Sequence, residues 1–433
     1  MADSDGKMGL VDGLILRWGT PADTSKLVDF HERIQGQGAW TRILCDGDHP
    51  TTNATCFTII EEAKSHNIVS SMCYIPQVWT YGGTPFKTAR LDMVSTDPDY
   101  RMQGLARKQF DLIHSRTASQ GYLLHAVVGR PWVYRRLGYT LALPYGGGSQ
   151  ISKRMVSPLA EGQTELFTIR DASLDDNDIP FMVGLYKESL QSSLVGCVRE
   201  VPVWEYEMSK RGTPAERTQH RIIVDQDGNK IGFLLHAPAI EDGALLAYRF
   251  QLIPSASYLD VTPAVLRYLA RIGESYAAQA GAPYETLSLG MEPGHPIHRL
   301  TRDMLGRTNR PYAWYVRLPN LPSFIARIVP VLQRRVERSF FPGYSGTLHL
   351  GFFEDSKGLF ITFTGGAITG LGLCKAERFP TSMPLESFVK LLFGYRSVEE
   401  LEQDYPEVQL TNMSRLLLET LFPKMQSSVL SIS

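Results

Sequence analysis

Cysteine is scarce here: five residues, Cys45, Cys56, Cys73, Cys197 and Cys374, in a chain of 433. They are odd in number and never spaced Cys-x-x-Cys, which argues against a disulfide framework or a zinc site and fits a reduced, cytoplasmic setting. Charge of one sign is lacking as well. Lys and Arg total 44 against 45 Asp and Glu, a formal net charge of −1. That leaves no electrostatic footprint for nucleic acid or for an anionic membrane surface. No uncharged apolar run approaches the ~20 residues that span a bilayer. The opening Met1-Ala2-Asp3-Ser4-Asp5-Gly6 lacks the basic start and apolar core of a signal peptide. What remains is ordinary globular composition, 43% hydrophobic and 21% charged. The length is too great for one core, so two or three domains are expected.

The first region, from about Leu14 to Met155, reads as mixed α/β. Leu14-Ile15-Leu16 is a short strand, and Thr20-Pro21-Ala22-Asp23 opens a helix with a Thr cap, Pro in the first turn and an acid three residues after the cap. Strand-like runs follow at Cys56–Ile60, Ile68–Tyr74 and Arg90–Thr96, with a turn at Gly82-Gly83, and chain-adjacent strands of this kind pair as an antiparallel meander. Pro144 to Ser149, rich in Gly, marks the exit. A second α/β segment spans roughly Leu166 to Leu318. Its Thr168-Ile169-Arg170 and Asp171-Ala172-Ser173 echo the opening of the first segment, as a divergent duplication would. After Pro319-Asn320-Leu321-Pro322 the character changes. Leu348, Leu350 and Phe352, then Leu359, Ile361 and Phe363, alternate around a turn at Asp355-Ser356-Lys357-Gly358, the pattern of a hairpin with one buried face. Two helices follow, one opened by the capping box Ser397-x-x-Glu400 and one running from Met413 through Leu421, preceded by Asn412 and stopped by Pro423.

The chemistry concentrates in Leu91 to Arg107, where Arg101-Met102-Gln103-Gly104-Leu105-Ala106 fits Arg/Gln-x-x-Gly-x-Gly/Ala between a strand and a helix. The free N–H groups of a first helical turn favour an anion there. Gly104 removes the Cβ that would hold a pyrophosphate away from the backbone, and small Ala106 does the same. Arg101 adds charge-assisted hydrogen bonds. The pattern alone is weak, since chance supplies it about half the time in a chain this long. Arg33-Ile34-Gln35-Gly36-Gln37-Gly38 matches too, but it follows a helix and is trailed by Ala39-Trp40, so it lacks the phosphate-cradling context. Downstream, Tyr122–Val128 reads as a buried strand followed by a short helix carrying Tyr134. A phenol of ordinary pKa near 10 is a sensible proton donor to a departing thiolate.

Val133-Tyr134-Arg135-Arg136-Leu137-Gly138-Tyr139 resembles the Tyr-x-Arg-x-Gly-Tyr signature of the Eis (enhanced intracellular survival) family of GNAT acetyltransferases. The likeness extends to His295–Leu300, Trp314–Pro322, Leu391–Arg396 and Leu421-Phe422-Pro423. It implies an α/β (α+β) fold of tandem GNAT domains, active at 1–155 and degenerate at 156–320, with a sterol-carrier-protein-like domain at 321–433. In a GNAT fold two neighbouring parallel strands splay apart to admit the pantetheine arm. Acetyl-CoA, as co-substrate, would bind at Val94, Ser95 and Thr96 and at Arg101, Met102, Gln103, Gly104, Leu105, Ala106 and Arg107. Tyr134 would be the general acid and the carboxylate of Ser433, threaded back into the first domain, the general base. The acceptor would be an amine-bearing small molecule or a peptide lysine, and the assembly a homo-oligomer. No Arg/Gln-x-x-Gly-x-Gly/Ala run occurs between Leu166 and Leu318, so that segment is expected to be non-catalytic and to wall the acceptor cleft.

Other candidates read more plainly. His295-x-x-His298 has no third ligand at useful spacing, and no metal is expected. His125, in an apolar strand, reads as a core histidine. Trp40 and Trp132 read equally as packing residues or as walls of an acceptor pocket. Arg334, Arg335 and Arg338 read as a solvated or subunit-facing helix side. Two other functions fit the same sequence: a GNAT fold turned to hydrolysis or decarboxylation, or a lipid or small-molecule binder using the C-terminal domain.

Overall fold

Alternating strands become three sheets, and the first is the meander expected from chain order. The computed structural model describes residues 8–10, 13–146, 148–213, 217–309, 312–353, 357–375 and 379–432. Strands Leu14–Trp18, Phe57–Glu62, Ile68–Tyr81 and Thr84–Thr96 pair antiparallel in succession. The last two are joined by Gly82 and Gly83, with φ of 51° and 83°, the left-handed pair that a two-residue hairpin needs. Helix Leu105–Ser119 then crosses the sheet, its Phe110 and Ile113 fully buried, and delivers Leu124–Val128 parallel to Thr84–Thr96. The expected helix start at Thr20 is a short turn, Pro21–Asp23, with a capping box, leading into helix Thr24–Gln35.

The second sheet repeats this wiring. Thr168–Asp171, Gln219–Val224, Lys230–His236 and Ala244–Leu252 run antiparallel. Helix Tyr258–Ala280 then leads to Thr286–Leu289, parallel to Ala244–Leu252. The sequence echo has a physical counterpart. Arg17 grips the carboxylate of Asp23 through two bonds of 2.8 Å, and Asp23 also accepts the Thr20 N–H at 2.9 Å. In the second copy Arg170 grips Asp178 at 2.7 and 3.0 Å, and Asp178 accepts the Ser173 N–H at 2.9 Å.

The two sheets trade strands. Tyr312–Arg317 lies between Leu124–Val128 and Thr140–Tyr145 of the first sheet, antiparallel to both. Gly148–Ser152 lies between Thr286–Leu289 and Leu305–Asn309 of the second, again antiparallel to both. Val195–Cys197 also pairs with Ile68–Tyr81 of the first sheet. Residues 148–152 thus sit within the expected stretch 1–155 but in the other sheet, and 312–317 within 156–320 but in the first. Alternation marks a residue run as a strand; which sheet it joins is set by pairing far along the chain.

The third sheet holds Gly346–Phe352, Lys357–Thr364, Ala367–Lys375 and the short Ser382–Met383. The expected hairpin is its first pair, with Asp355 and Ser356 of the turn outside the described residues. Ala367–Lys375 escaped sequence reading because Gly370 and Gly372 break its apolar alternation. Helix Val398–Asp404 carries the Ser397/Glu400 capping box, while helix Asn412–Leu421 begins one residue earlier than expected, capped by Thr411. Two further helices, Leu321–Glu337 and Leu385–Leu392, complete this part. Phe324, Ile328 and Phe393 share one core with Trp79, Tyr81 and Phe86 of the first sheet, so the third part is packed directly on the first. Among the described residues no helix is long and apolar enough to cross a membrane.

Candidate active site

The first sheet opens where the resemblance expects it to. Parallel pairing between Thr84–Thr96 and Leu124–Val128 stops at Leu91↔Val127, although the first strand runs on to Thr96. Just beyond, the register against Ile68–Tyr81 slips between Ser71 and Cys73, and Met93 adopts φ of 57°. A bulge of this kind redirects the main chain and leaves groups unpaired. Val94 and Thr96 are half-buried, and Ser95 is buried with its hydroxyl 3.1 Å from His31 Nδ1. The Ser95 side chain is therefore taken up in packing, and its carbonyl accepts from the Ser70 hydroxyl at 2.9 Å.

The strand leads into an exposed turn. Arg101, Met102, Gln103 and Gly104 are all exposed, with Met102 (φ 64°) and Gly104 (φ 73°) both left-handed. The first helical hydrogen bond runs from Lys108 N to Gly104 O. Among the described residues no acceptor meets the main-chain N–H groups of residues 102 to 107. No side chain caps this helix either. Six consecutive donors thus lie without a protein acceptor beside the splay, as an anion-binding turn requires. A Cβ at Gly104 would meet nothing within 4 Å, so the space in front of the turn is free. Leu105 is buried as an anchor among Leu14, Leu16, Ile60 and Val69; Ala106 is half-buried and Arg107 exposed.

Tyr134 stands on helix Pro131–Arg135 beside the fork, in one cluster with Leu91, Val127, Phe110, Tyr139 and Tyr315. Its ring rests on Gly129, where a Cβ would lie 2.8 Å from the Tyr134 hydroxyl. Gly129 is therefore what lets the phenol reach the fork. Burial, with the Asp92 carboxylate adding to it, pushes the Tyr134 pKa up to about 12, so the phenol keeps its proton at neutral pH.

The tail enters from the far side. The Ser428 N–H donates to Val195 O at 3.0 Å, and Arg199 reaches the carbonyls of Leu430 and Ser431 at 3.3 and 3.1 Å. Ile432 is buried, and its carbonyl accepts from Gln77 Nε2 at 2.7 Å and Arg90 Nη1 at 2.9 Å. Arg90 also holds Asp92 at 2.8 Å, tying the tail to the strand that carries the bulge. Ser433 lies outside the described residues. Sequence reasoning missed Gln77, Arg90 and Asp92. Their signal was available: charged or amide side chains in otherwise apolar strands.

A cleft of about 450 Å³ beside this strand is lined by Gly36, Gln37, Trp40, Arg90, Asp92 and Arg211, among others. The rejected motif copy is thus no phosphate cradle. Gly36 ends helix Thr24–Gln35 at φ 67° and walls the cleft. Trp40 lines it, whereas Trp132 is 63% exposed. His125 is buried and bonded to Thr117 at 2.7 Å, a core histidine. Arg327, Arg334 and Arg335 are spent on carbonyls of Pro85, Gly82 and Leu421.

The second copy closes its own fork. Its parallel pairing ends at Ala247↔Leu289 while the strand runs on to Leu252. There His295 Nε2 donates to the Phe250 carbonyl at 2.7 Å, and the Leu252 N–H donates to the Tyr258 hydroxyl at 3.2 Å. The first turn of helix Tyr258–Ala280 is capped by the Ser257 hydroxyl, which accepts the Asp260 N–H, and it carries an acid at Asp260. His298 likewise spends both ring nitrogens, on Ser149 and on Met291 O.

Residues 48–142 match the acetyltransferase (GNAT) domain family. Among curated proteins, none matches this sequence. Solved structures of similar fold include a GCN5-related N-acetyltransferase from Anabaena variabilis, 15% identical over 96% of this chain and 99% of that one, with a TM-score of 0.65. Another is a probable N-acyltransferase from Enterococcus faecalis, 15% identical over 96% and 97%, TM-score 0.68. Eis1 from Mycobacterium abscessus is 12% identical over 97% and 99%, TM-score 0.61. The chain carries an acetyltransferase (GNAT) domain, set in an architecture it shares almost end to end with GCN5-related N-acetyltransferases.

Proposed function

We propose that the first domain transfers an acetyl group from acetyl-CoA to a primary amine, of a small molecule or a lysine side chain, by direct attack in a ternary complex. The observation that carries this is the run of six amides at residues 102–107 that have no acceptor among the described residues, beside a forked sheet. Acetyl-CoA, once bound, supplies the acyl group as a thioester. The amides of residues 102–107, with Arg101, hold its pyrophosphate, and the edge from Val94 to Thr96 pairs with its pantetheine arm, displacing Gln35 and Arg101 from the Val94 and Thr96 carbonyls. Main-chain N–H groups near Val94 and Ser95 stabilise charge developing on the carbonyl oxygen. Tyr134, kept protonated by burial, gives its proton to the departing sulfur.

The amine proton passes to the carboxylate of Ser433, directly or through a water. Support comes from Ile432, the residue before it, whose carbonyl is anchored by Gln77 and by Arg90, a residue that also lines the cleft. In this reading residues 156–320 wall the cleft, and residues 321–433, as a sterol-carrier-like module, present the tail. A homo-oligomer in a reduced cytoplasmic setting completes it, and the five free thiols suit that setting. Thiol release from acetyl-CoA over a panel of polyamines, aminoglycosides and peptides tests the proposal. Acylated product should appear with wild type and vanish with Gly104→Glu. Thiol release without acylated product would favour hydrolysis instead, and no thermal shift with acetyl-CoA would remove the assignment.

A further inference from the structure

The acceptor cleft does not end at Asp92. Arg211 lines both it and a second cavity of about 460 Å³ between the first two sheets and the tail. The charged walls of that second cavity are Arg199, Glu207, Arg211, Arg249 and Glu292. Most of these charges are already matched. Arg199 pairs with Glu207, Arg249 with Glu292 at 3.4 Å, and in the neighbouring cleft Arg90 pairs with Asp92 at 2.8 Å.

Arg211 is the one left over. Its guanidinium has no ion pair or hydrogen-bond partner among the described residues, and its Nε is buried without an acceptor. It lies over the Trp40 ring with Cζ 5.0 Å from the centroid, within cation–π range. Burial lowers its pKa, with Glu207 offsetting this only in part, so its surroundings do not repay the charge they enclose. Arg199 and Arg249, 2% and 4% exposed, each keep a buried Nε without a partner in the same cavity wall. Among the described residues the two cavities are lined by four arginines against three carboxylates.

We infer that the acceptor carries an anionic oxygen group, a carboxylate or a phosphate, besides its amine, and that Arg211 receives that group while the amine reaches past Asp92 to the fork. This rests on the acyltransferase reading and adds a substrate class to it. A planar guanidinium stacked on an indole suits such a group through two parallel N–H bonds.

Matched acceptors test it: 4-aminobutanoate, 3-aminopropyl phosphate, butylamine and 1,4-diaminobutane. Binding is followed by calorimetry in the presence of CoA, and turnover by thiol release from acetyl-CoA. One or both anionic amines should exceed butylamine at least tenfold in Kd or kcat/KM, and comparing the two tells carboxylate from phosphate. Arg211→Gln should erase that gap, Arg211→Lys should restore part of it, and Arg211→Glu should shift preference to the diamine. All variants should keep the wild-type thermal response to acetyl-CoA, which reports an intact fold. Equal binding of all four amines, binding of none, or a gap that survives in Arg211→Gln overturns the inference. Absence of any acetyl-CoA response in wild type would instead fell the acyltransferase reading itself.

Discussion

The two forked sheets of this chain are built to one plan and differ in how the following helix begins. In the first, strand Thr84–Thr96 outruns its neighbour, the following helix opens on Gly104, and the amides of residues 102–107 have no acceptor among the described residues. In the second, strand Ala244–Leu252 outruns its neighbour in the same way, but His295 and Tyr258 take up its free edge and Ser257 caps the helix. Backbone polar groups in a protein interior need partners. Side chains reach the strand edge in both copies, Gln35 and Arg101 taking the Val94 and Thr96 carbonyls in the first. The difference lies at the helix start, which Ser257 caps in the second copy and no side chain caps in the first.

The sharpest way to break this contrast is at the two helix starts. Gly104→Glu sets a carboxylate where a pyrophosphate would lie and should weaken acetyl-CoA binding by about a hundredfold or more. Ser257→Ala, its counterpart, should leave binding unchanged in calorimetry. Next in size is Tyr134→Phe, which should lower kcat by about 10²-fold or more while Kd for acetyl-CoA stays within about twofold. Because burial holds the phenol proton up to about pH 12, the wild type should show no alkaline loss of kcat from Tyr134 below about pH 10. Gly129→Ala, by pushing that hydroxyl aside, should cost about tenfold in kcat, and unchanged kinetics would show that the phenol position does not matter.

In the second sheet the effect should move from rate to stability. His295→Ala strands the Phe250 carbonyl and should cost about 1–3 kcal/mol of unfolding free energy by denaturant titration, with kcat little altered. Shared by both halves is the response to acid. Burial lowers His31, His220, His236 and His295 from an ordinary 6.5 to about 4. The unfolded chain takes up those protons first, so stability should fall as pH drops from about 6.5 towards 4. Each of these histidines contributes about 1.4 kcal/mol per pH unit across that window. A melting temperature flat between pH 7 and 4.5 would refute it.

Much of the first site was legible because its elements are local. The Gly104 turn, the strand before it and the helix after it follow one another directly between Thr84 and Ser119, and periodicity with one glycine is enough to read them. The Arg17–Asp23 clamp is local too, which is why its echo at Arg170 showed through. What could not be read depends on residues far apart: Ile432 against Gln77 and Arg90, or His295 against Phe250. His295 looked like half of a metal pair because its real partner is a backbone carbonyl, and a carbonyl leaves no mark in sequence. Arg211 was invisible for a related reason, since being unpaired is a property of surroundings.

The traded strands have a consequence for how the molecule is made. Leu124–Val128 and Thr140–Tyr145 cannot be bridged until Tyr312–Arg317 has left the ribosome, and the second sheet must borrow Gly148–Ser152 from a segment synthesised long before its neighbours. Neither half can therefore close as a free-standing piece during translation. Cutting the chain near residue 155 yields two frayed sheets, each missing the strand its sister carries.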